Sequence, residues 1–249
     1  MFELEDIENA FYRHEFFLEY LPTMHLADNR CIGAEALLRW RRGDQVVAPM
    51  DFIPQVEATP LVGLVTYRVI ELVAQDLGPW LRAHDNVHIA INVPPELLGR
   101  GGLWYALLVS GLADVSNKIM AEVSERGMPD LISMHGINAG RKYDVQIALD
   151  DVNVNECNLL ALMYVHTDIV KFEKSLVDQM LRNDWSDDEI ADVAALVRTG
   201  KCQVIAEGVE TIKQVNILKN AGVQMAQGWY FSHPLPASDF IKYFSTHQH

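Results

Sequence analysis

Carboxylate side chains follow several short apolar runs in this sequence, and grouped carboxylates of this kind could bind metal ions. The segment from Gln146 to Leu160, QIALDDVNVNECNLL, shows the pattern, because its apolar run ends on Asp150 and Asp151. Taken alone, two adjacent aspartates are typical of a capped turn. The pattern recurs, however, and the oxygen-bearing residues that follow apolar runs are Glu35, Asn92, Glu122, Asp150, Asp151 and Glu207. Lys171 adds a cation in another such run.

The elements that must position these residues follow a regular pattern. Short apolar runs alternate with longer segments of helical period, which is typical of β/α units around a parallel sheet. The pattern predicts strands near 16–25, 32–39, 87–93, 118–124, 145–150, 168–172, 203–207 and 225–231. It predicts helices near 63–84, 94–112, 130–142, 158–165, 187–199 and 211–221. The fold is therefore predicted to be α/β, a modified (β/α)8 TIM-like barrel with an irregular N-terminal hairpin.

In a barrel of this kind, the carboxyl ends of the strands open onto one mouth, where catalytic residues lie. Five carboxylates and one amide would then lie close together, and carboxylates so close repel each other. Divalent cations would relieve the repulsion, and oxygen ligands without His or Cys favour Mg²⁺ or Mn²⁺ over zinc. The adjacent Asp150 and Asp151 suit a pair of ions about 3.5–4 Å apart, with the first aspartate bridging both ions.

Two cationic side chains belong to the same predicted mouth. Lys171 is expected to orient an attacking water or to offset charge on a phosphorane, and Arg39 to hold a phosphate oxygen. From the residues alone, the chain is predicted to be a metal-dependent barrel enzyme with a phosphorylated or an enolisable substrate. The spacing of the acids does not separate these two substrate classes.

Length and composition predict one globular domain and exclude some binding functions. The 249 residues are 49% hydrophobic and contain no evident linker or repeat, so a single domain over 1–249 is expected. The formal net charge of -14 would repel a phosphate backbone, which excludes sequence-independent binding of nucleic-acid polymers. The sequence lacks an uncharged apolar stretch of about 18 residues and starts with the acidic MFELEDIENA, so we expect a cytoplasmic domain without membrane contact.

Ordered segments of the sequence resemble the EAL domain family of cyclic di-GMP phosphodiesterases over essentially the whole chain. Nine segments match in the family's order and spacing. They are YLP (20–22), GAEALLRW (33–40), APMDFIPQVE (48–57), INV (91–93), EVSE (122–125), LDD (149–151), VKFEKSLV (170–177), VIAEGVET (204–211) and QGWYFSHPLP (227–236). Any one segment could match by chance, so the resemblance rests on the ordered set.

The resemblance implies hydrolysis of one phosphodiester bond of cyclic di-GMP to linear pGpG, with two Mg²⁺ or Mn²⁺ ions. It implies that the metal ligands are Glu35, Asn92, Glu122, Asp150, Asp151 and Glu207. It also implies that Lys171 orients the water and acts with Glu35 in catalysis. The substrate contacts that it implies are Leu37, Arg39 and Gln227, and the supporting acids are Glu125, Glu173 and Glu210.

The sequence departs from the family's pattern after the aspartate pair. The family's DDFGTGYSSL reads DDVNVNECNL here, so the altered loop 152–158 has Asn153 and Asn155 in place of both glycines. Smaller departures are Leu21 in place of the glutamine of YQP and Glu173 in place of the aspartate of KID.

These departures leave two functional hypotheses open. In the first, the chain is an active cyclic di-GMP phosphodiesterase with weak or regulated activity. In the second, it is a catalytically inactive domain that senses cyclic di-GMP or binds a protein partner. The family also implies a homodimer and attachment to sensory segments, so the chain could be the cytoplasmic portion of a larger signalling protein.

Overall fold

The computed structural model describes residues 2–57, 59–94, 97–98, 101–124, 143–152, 167–182 and 202–248. For Ser124, Asp151 and Val152, only the backbone is described. Other predicted features lie outside these residues, namely the helices 130–142, 158–165 and 187–199, Glu125, and the altered loop from Asn153 onward.

Nine strands form one sheet within the described residues. They are β1 (Phe16–His25), β2 (Cys31–Arg42), β3 (Gln45–Val47), β4 (His88–Asn92), β5 (Ile119–Ser124), β6 (Gln146–Val152), β7 (Ile169–Phe172), β8 (Gln203–Ala206) and β9 (Met225–Ala226). Their order is β1-β9-β8-β7-β6-β5-β4-β2-β3, and β1 also pairs with β2. The extra pairing closes eight strands into a barrel and leaves β3 outside it.

The closure of the barrel depends on β1, which runs antiparallel to both of its neighbours. β1 pairs with β2 along most of its length. On its other side, it meets β9 through two residue pairs, Met24 with Ala226 and His25 with Met225. The remaining neighbours around the barrel, from β2 to β9, are parallel. The predicted fold class, a modified (β/α)8 barrel that opens with an irregular hairpin, is confirmed.

The described α-helices lie before, between and after the strands. They are α1 (Leu4–Tyr12), α2 (Ile53–Val56), α3 (Leu61–Ala83), α4 (Gly102–Val109), α5 (Lys174–Arg182), α6 (Ile212–Asn220) and α7 (Ala237–Thr246), with 3₁₀ turns at Pro49–Asp51 and Ala113–Lys118. Two of them, α3 and α6, lie where the helical period predicted them. Within the described residues, no helix is both long and apolar enough to cross a membrane.

Two predicted boundaries were wrong because glycines interrupt the backbone. The predicted helix 94–112 ends at Val109 as α4, shortly before Gly111, a residue with a left-handed φ of 77°. The predicted strand 225–231 ends at Ala226, because the chain turns at Gly228, where φ is 150°. A Cβ atom at Gly228 would lie 2.2 Å from the carbonyl oxygen of Val209, so the turn requires glycine.

Aromatic side chains attach the outer helices to the hairpin. Phe240 of α7 stacks on Tyr20 of β1, with ring centroids 5.8 Å apart, and meets Trp80 of α3 edge-on at 5.3 Å. Tyr20 is fully buried, and its hydroxyl donates to Asp76 of α3 at 2.9 Å. These contacts fix α3 and α7 against the outer face of β1.

The interior of the barrel is filled in layers, because alternate residues of each strand point inward. The middle layer is apolar and buried, and it consists of Ala90, Met120, Ala148, Ile169, Ile205 and Met225. Towards the amino ends of the strands, His88, Gln146 and Gln203 line a cavity of about 580 Å³. The predicted acids lie beyond the apolar layer, at the carboxyl ends.

The first glycine of GAEALLRW makes room for a neighbouring strand. Gly33 lies beside His88, and a Cβ atom at Gly33 would lie 2.3 Å from the backbone oxygen of His88. We therefore expect Gly33→Ala to lower the free energy of unfolding by about 1–3 kcal/mol, measured by urea denaturation.

The matched control is Gly63→Ala in α3, where the nearest atom to a new Cβ is 3.9 Å away. Because alanine is the better helix former, this variant should be as stable as the parent or up to about 1 kcal/mol more stable. An unchanged denaturation midpoint for Gly33→Ala would contradict the packing argument.

Candidate active site

The parallel strands bring the predicted acids to the carboxyl ends of the barrel. Asn92 at the end of β4 lies beside Glu122 on β5 in the register of these two strands. Glu35 on β2 lies beside Ala90 of β4, and Glu207 directly follows β8. The hydrogen bond from Asn92 Nδ2 to Glu35 Oε1, at 3.4 Å, joins the side chains of two strands.

The ammonium of Lys171 lies at the centre of this cluster. Its Nζ atom is 2.6 Å from Glu207 Oε1 and 2.7 Å from Glu122 Oε1. It is 3.3 Å from both Glu35 Oε2 and Asp150 Oδ1. The side chain of Lys171 is only 1% exposed, so water contributes little to its solvation. Four carboxylates from four strands of the barrel therefore meet at one buried cation.

Four carboxyl groups surround one ammonium, so the cluster would carry a net negative charge if all four acids were ionised. Both carboxylate oxygens of Glu122 are buried, and Oε2 has neither a hydrogen bond nor an ion pair within the described part of the chain. A buried carboxylate oxygen without a partner costs free energy unless the group is protonated or contacts a cation. Glu122 therefore needs either a proton or a further cation beside its buried oxygens.

The pKa values of the cluster reflect this imbalance. Burial raises the pKa of Glu122 well above its usual value, the charge of Glu35 raises it further, and Lys171 lowers it. Burial raises the pKa of Glu207 to about 7, against the opposing effect of Lys171. Burial alone would lower the pKa of Lys171, but the surrounding carboxylates outweigh burial and hold it well above its usual value. Lys171 therefore stays charged at neutral pH.

The donor chemistry of the cluster fits a hard divalent cation. The available donors are carboxylate and amide oxygens, which Mg²⁺ and Mn²⁺ prefer. Among the side chains that the structure describes, no three from His, Cys, Asp or Glu are arranged as a group that could hold a metal ion. The ammonium of Lys171 lies between the carboxylates instead. The described oxygen donors of this cluster belong to Glu35, Asn92, Glu122, Asp150 and Glu207, whereas only the backbone of Asp151 is described.

The predicted substrate residues of β2 continue from Glu35 along the strand. Leu37 and Arg39 share its face, because side chains of a strand alternate between two faces. Arg39 donates from Nε to Glu19 Oε2 at 2.8 Å and from Nη1 to the carbonyl oxygen of Leu38 at 2.9 Å. Its guanidinium is therefore fixed by the hairpin itself.

Gln227 lies deeper than a rim residue would. It is 1% exposed, and its Nε2 donates to Thr23 Oγ1 at 3.0 Å and to the carbonyl oxygen of Leu21 at 3.4 Å. Its backbone nitrogen donates to Ala206 at 2.8 Å. Only its buried Oε1 lacks a hydrogen-bond partner among the described residues.

Two of the predicted supporting acids lie within the described residues. Glu210 accepts a hydrogen bond from Lys174, and Glu173 accepts one from Ser175. Lys174 packs beside Gly208, which has a φ of 64° in the loop after Glu207. This contact joins the start of α5 to the loop that carries Glu207.

Three polar side chains of the barrel interior and hairpin were not predicted from the sequence. Glu19 pairs with Arg39, and Thr23 supports Gln227. His88 lies at the other end of the barrel with a buried Nε2 that has no partner among the described residues. Burial lowers the pKa of His88 to about 4, so the ring is neutral at pH 7. The strand period could have placed Glu19 on the face of Leu37 and Arg39, because these strands pair as a hairpin.

Known proteins are similar to this chain in both sequence and fold. The model of the EAL domain family matches residues 4–234. The "Probable cyclic di-GMP phosphodiesterase PdeB" of Escherichia coli is 31% identical over 245 residues, which are 97% of this chain and 47% of that protein. The chain thus spans about half the length of this relative.

Solved structures agree with the sequence comparison. The EAL enzyme Bd1971, bound to cAMP and cyclic di-GMP, matches with a TM-score of 0.84 and 26% identity, over 96% of this chain and 67% of that one. The PaMucR phosphodiesterase in complex with c-di-GMP matches with a TM-score of 0.82 and 28% identity, over 95% of this chain and 98% of that one.

The raised pKa of Glu207 predicts a pH dependence of stability in the presence of a chelator. Between pH 4.5 and about 7, the folded chain retains a proton on Glu207 that the unfolded chain releases. Folding therefore binds protons in this window, so the free energy of unfolding should fall as pH rises, by up to about 1.4 kcal/mol per unit for this group.

Urea denaturation at several pH values in EDTA, on the parent and on Glu207→Gln, measures this dependence. The glutamine has no proton to lose, so the fall between pH 5 and pH 7 should be shallower in the variant. Parallel pH profiles for the two proteins would show that Glu207 does not titrate as described.

Proposed function

The chain belongs to the EAL domain family, and on that premise we propose that it hydrolyses one phosphodiester bond of cyclic di-GMP to linear pGpG with Mg²⁺ or Mn²⁺. The observation that carries the proposal is the group of four carboxylates around Lys171 at the carboxyl ends of the barrel strands. Such a concentration of buried acids destabilises a fold, so its presence here supports a role in binding cations.

The proposed metal ligands are Glu35, Asn92, Glu122, Asp150, Asp151 and Glu207. When bound, a pair of divalent ions lowers the pKa of a coordinated water and neutralises charge on the phosphate. The unpartnered Oε2 of Glu122 and the excess of negative charge support this assignment. Glu35 is proposed to act in catalysis together with Lys171.

Lys171 is proposed to donate a hydrogen bond to the attacking water or to offset charge on the phosphorane. Its raised pKa supports this role, because an ammonium that stays charged can stabilise an anionic transition state. Arg39 is proposed to hold a phosphate oxygen, Leu37 to contact the dinucleotide, and Gln227 to border the site through its free Oε1. Glu125, Glu173 and Glu210 are proposed to support the loops around the site.

Relatives support the choice of substrate. PdeB is named for cyclic di-GMP hydrolysis, and the matching structures of Bd1971 and PaMucR contain cyclic di-GMP. The proposal further takes residues 1–249 as one barrel domain, cytoplasmic in location, that forms a homodimer. Its broader role would be in bacterial second-messenger signalling that controls biofilm formation and motility.

The sequence after Asp151 favours a second candidate function. It reads VNVNECN where the family has FGTGYSS, and Leu21 replaces the family's glutamine. A domain with these changes could bind cyclic di-GMP, or a protein partner, without hydrolysis. The two candidates differ in whether product forms, so a product assay separates them.

We expect purified protein with Mg²⁺ or Mn²⁺ to convert cyclic di-GMP to pGpG, as measured by chromatography of the nucleotides. EDTA should stop this reaction. Glu35→Gln should lower kcat by about 100-fold or more, because it removes a charged oxygen donor from the cluster. The control is Glu8→Gln, which removes one charge from the exposed side of α1.

Saturable binding of cyclic di-GMP without pGpG would favour the sensor instead. Neither binding nor turnover, with either ion, would leave protein interaction as the remaining function.

A further inference from the structure

One face of the β1–β2 hairpin continues from the acid cluster and carries charged residues. In its register, Leu21 lies opposite Glu35 and Glu19 lies opposite Leu37. Residues directly opposite each other point to the same side of the sheet, so this face carries Glu35, Leu37, Glu19 and Arg39. Arg39 is four residues beyond Glu35, roughly 13 Å along the strand at about 3.3 Å per residue.

Glu19 already uses part of the hydrogen-bonding capacity of Arg39. A guanidinium has five N–H donors, and here one on Nε bonds to Glu19 and one on Nη1 bonds to the carbonyl oxygen of Leu38. The other three have no partner among the described residues. The side chains of Arg39 and Glu19 are 16% and 28% exposed, so a ligand at the mouth can reach the pair.

We infer that Glu19 sets the affinity for the substrate phosphate by holding Arg39 and competing for its charge. The inference rests on the proposed function, in which Arg39 holds a phosphate oxygen. Arginine binds phosphate best through two parallel N–H groups of its fork, and Glu19 occupies the Nε donor of that fork. The carboxylate also offsets the charge of the guanidinium and repels an anionic phosphate beside it.

Glu19 therefore has two opposite effects on binding. Its hydrogen bond orients the guanidinium, which favours recognition, and its negative charge weakens the attraction for phosphate. Charges at the rim of a binding site act mainly on the association of a charged ligand. Glu19 is thus a positioning residue whose charge raises the dinucleotide concentration needed for half-saturation.

The substitution Glu19→Gln separates these effects, because glutamine keeps an oxygen acceptor for Nε and removes the charge. The matched control is Glu71→Gln, since Glu71 forms an equivalent ion pair with Arg68 at 2.5 Å on α3. Each variant loses one negative charge from an Arg–Glu pair, so a general effect of net charge would appear in both.

The experiment is calorimetric titration of cyclic di-GMP into the full chain with Ca²⁺, together with kcat and KM measured with Mg²⁺. For Glu19→Gln, we expect Kd to fall about 5–10-fold and KM to fall by more than kcat changes. The Kd of Glu71→Gln should stay within about 2-fold of that of the parent, because the Arg68–Glu71 pair lies on α3 and not on the hairpin face that carries Arg39. Glu19→Ala should gain less than Glu19→Gln, because it also removes the acceptor that orients Arg39.

A Kd for Glu19→Gln that equals or exceeds that of the parent would overturn the inference while leaving the proposed function intact. If Glu19→Gln fails to fold, a Kd for Glu19→Ala above that of the parent would also overturn it. Absence of binding by the parent would instead overturn the proposed function, and the inference with it.

Discussion

The contact of one buried ammonium with four carboxylates is the interaction on which the barrel mouth depends. Lys171 reaches Glu35, Glu122, Asp150 and Glu207 because parallel strands end side by side. Neither the cation nor the acids would be tolerated alone at this depth, since an isolated buried charge costs far more than a paired one. With all four acids ionised, the cluster would have a net negative charge, and this shortage of positive charge is the basis of the proposed chemistry.

The remainder of the interior isolates this charge. A layer of apolar side chains from β4 to β9 lies beneath the cluster, and the cavity around His88 lies towards the amino ends of the strands. This layer lies between the acid cluster and the cavity. A low-dielectric boundary of this kind strengthens electrostatic interactions inside the site.

Much of the fold could be predicted because the signals were local. Alternating apolar runs identified the strands, and the positions of acids after those runs identified the mouth. Lys171 was predicted at the mouth, but its burial among four carboxylates was not, because nothing in VKFEK distinguishes a buried lysine from an exposed one. The pairing of Glu19 with Arg39 required the register of the hairpin. The hydrogen bonds from Gln227 to β1 could not be predicted either, because they depend on closure of the barrel.

The closure itself is uneven around the ring. β1 pairs with β2 over most of its length, whereas β1 and β9 pair through only two residues of each strand. Gln227 follows that short strand and bridges the join, since its backbone bonds to Ala206 and its side chain to Thr23. Gln227 therefore connects β8 and β1 beside this short pairing. Local opening costs least where few backbone bonds must break, and β9 is held by two residue pairs on each side, so the ring would open first beside this strand, next to Glu207.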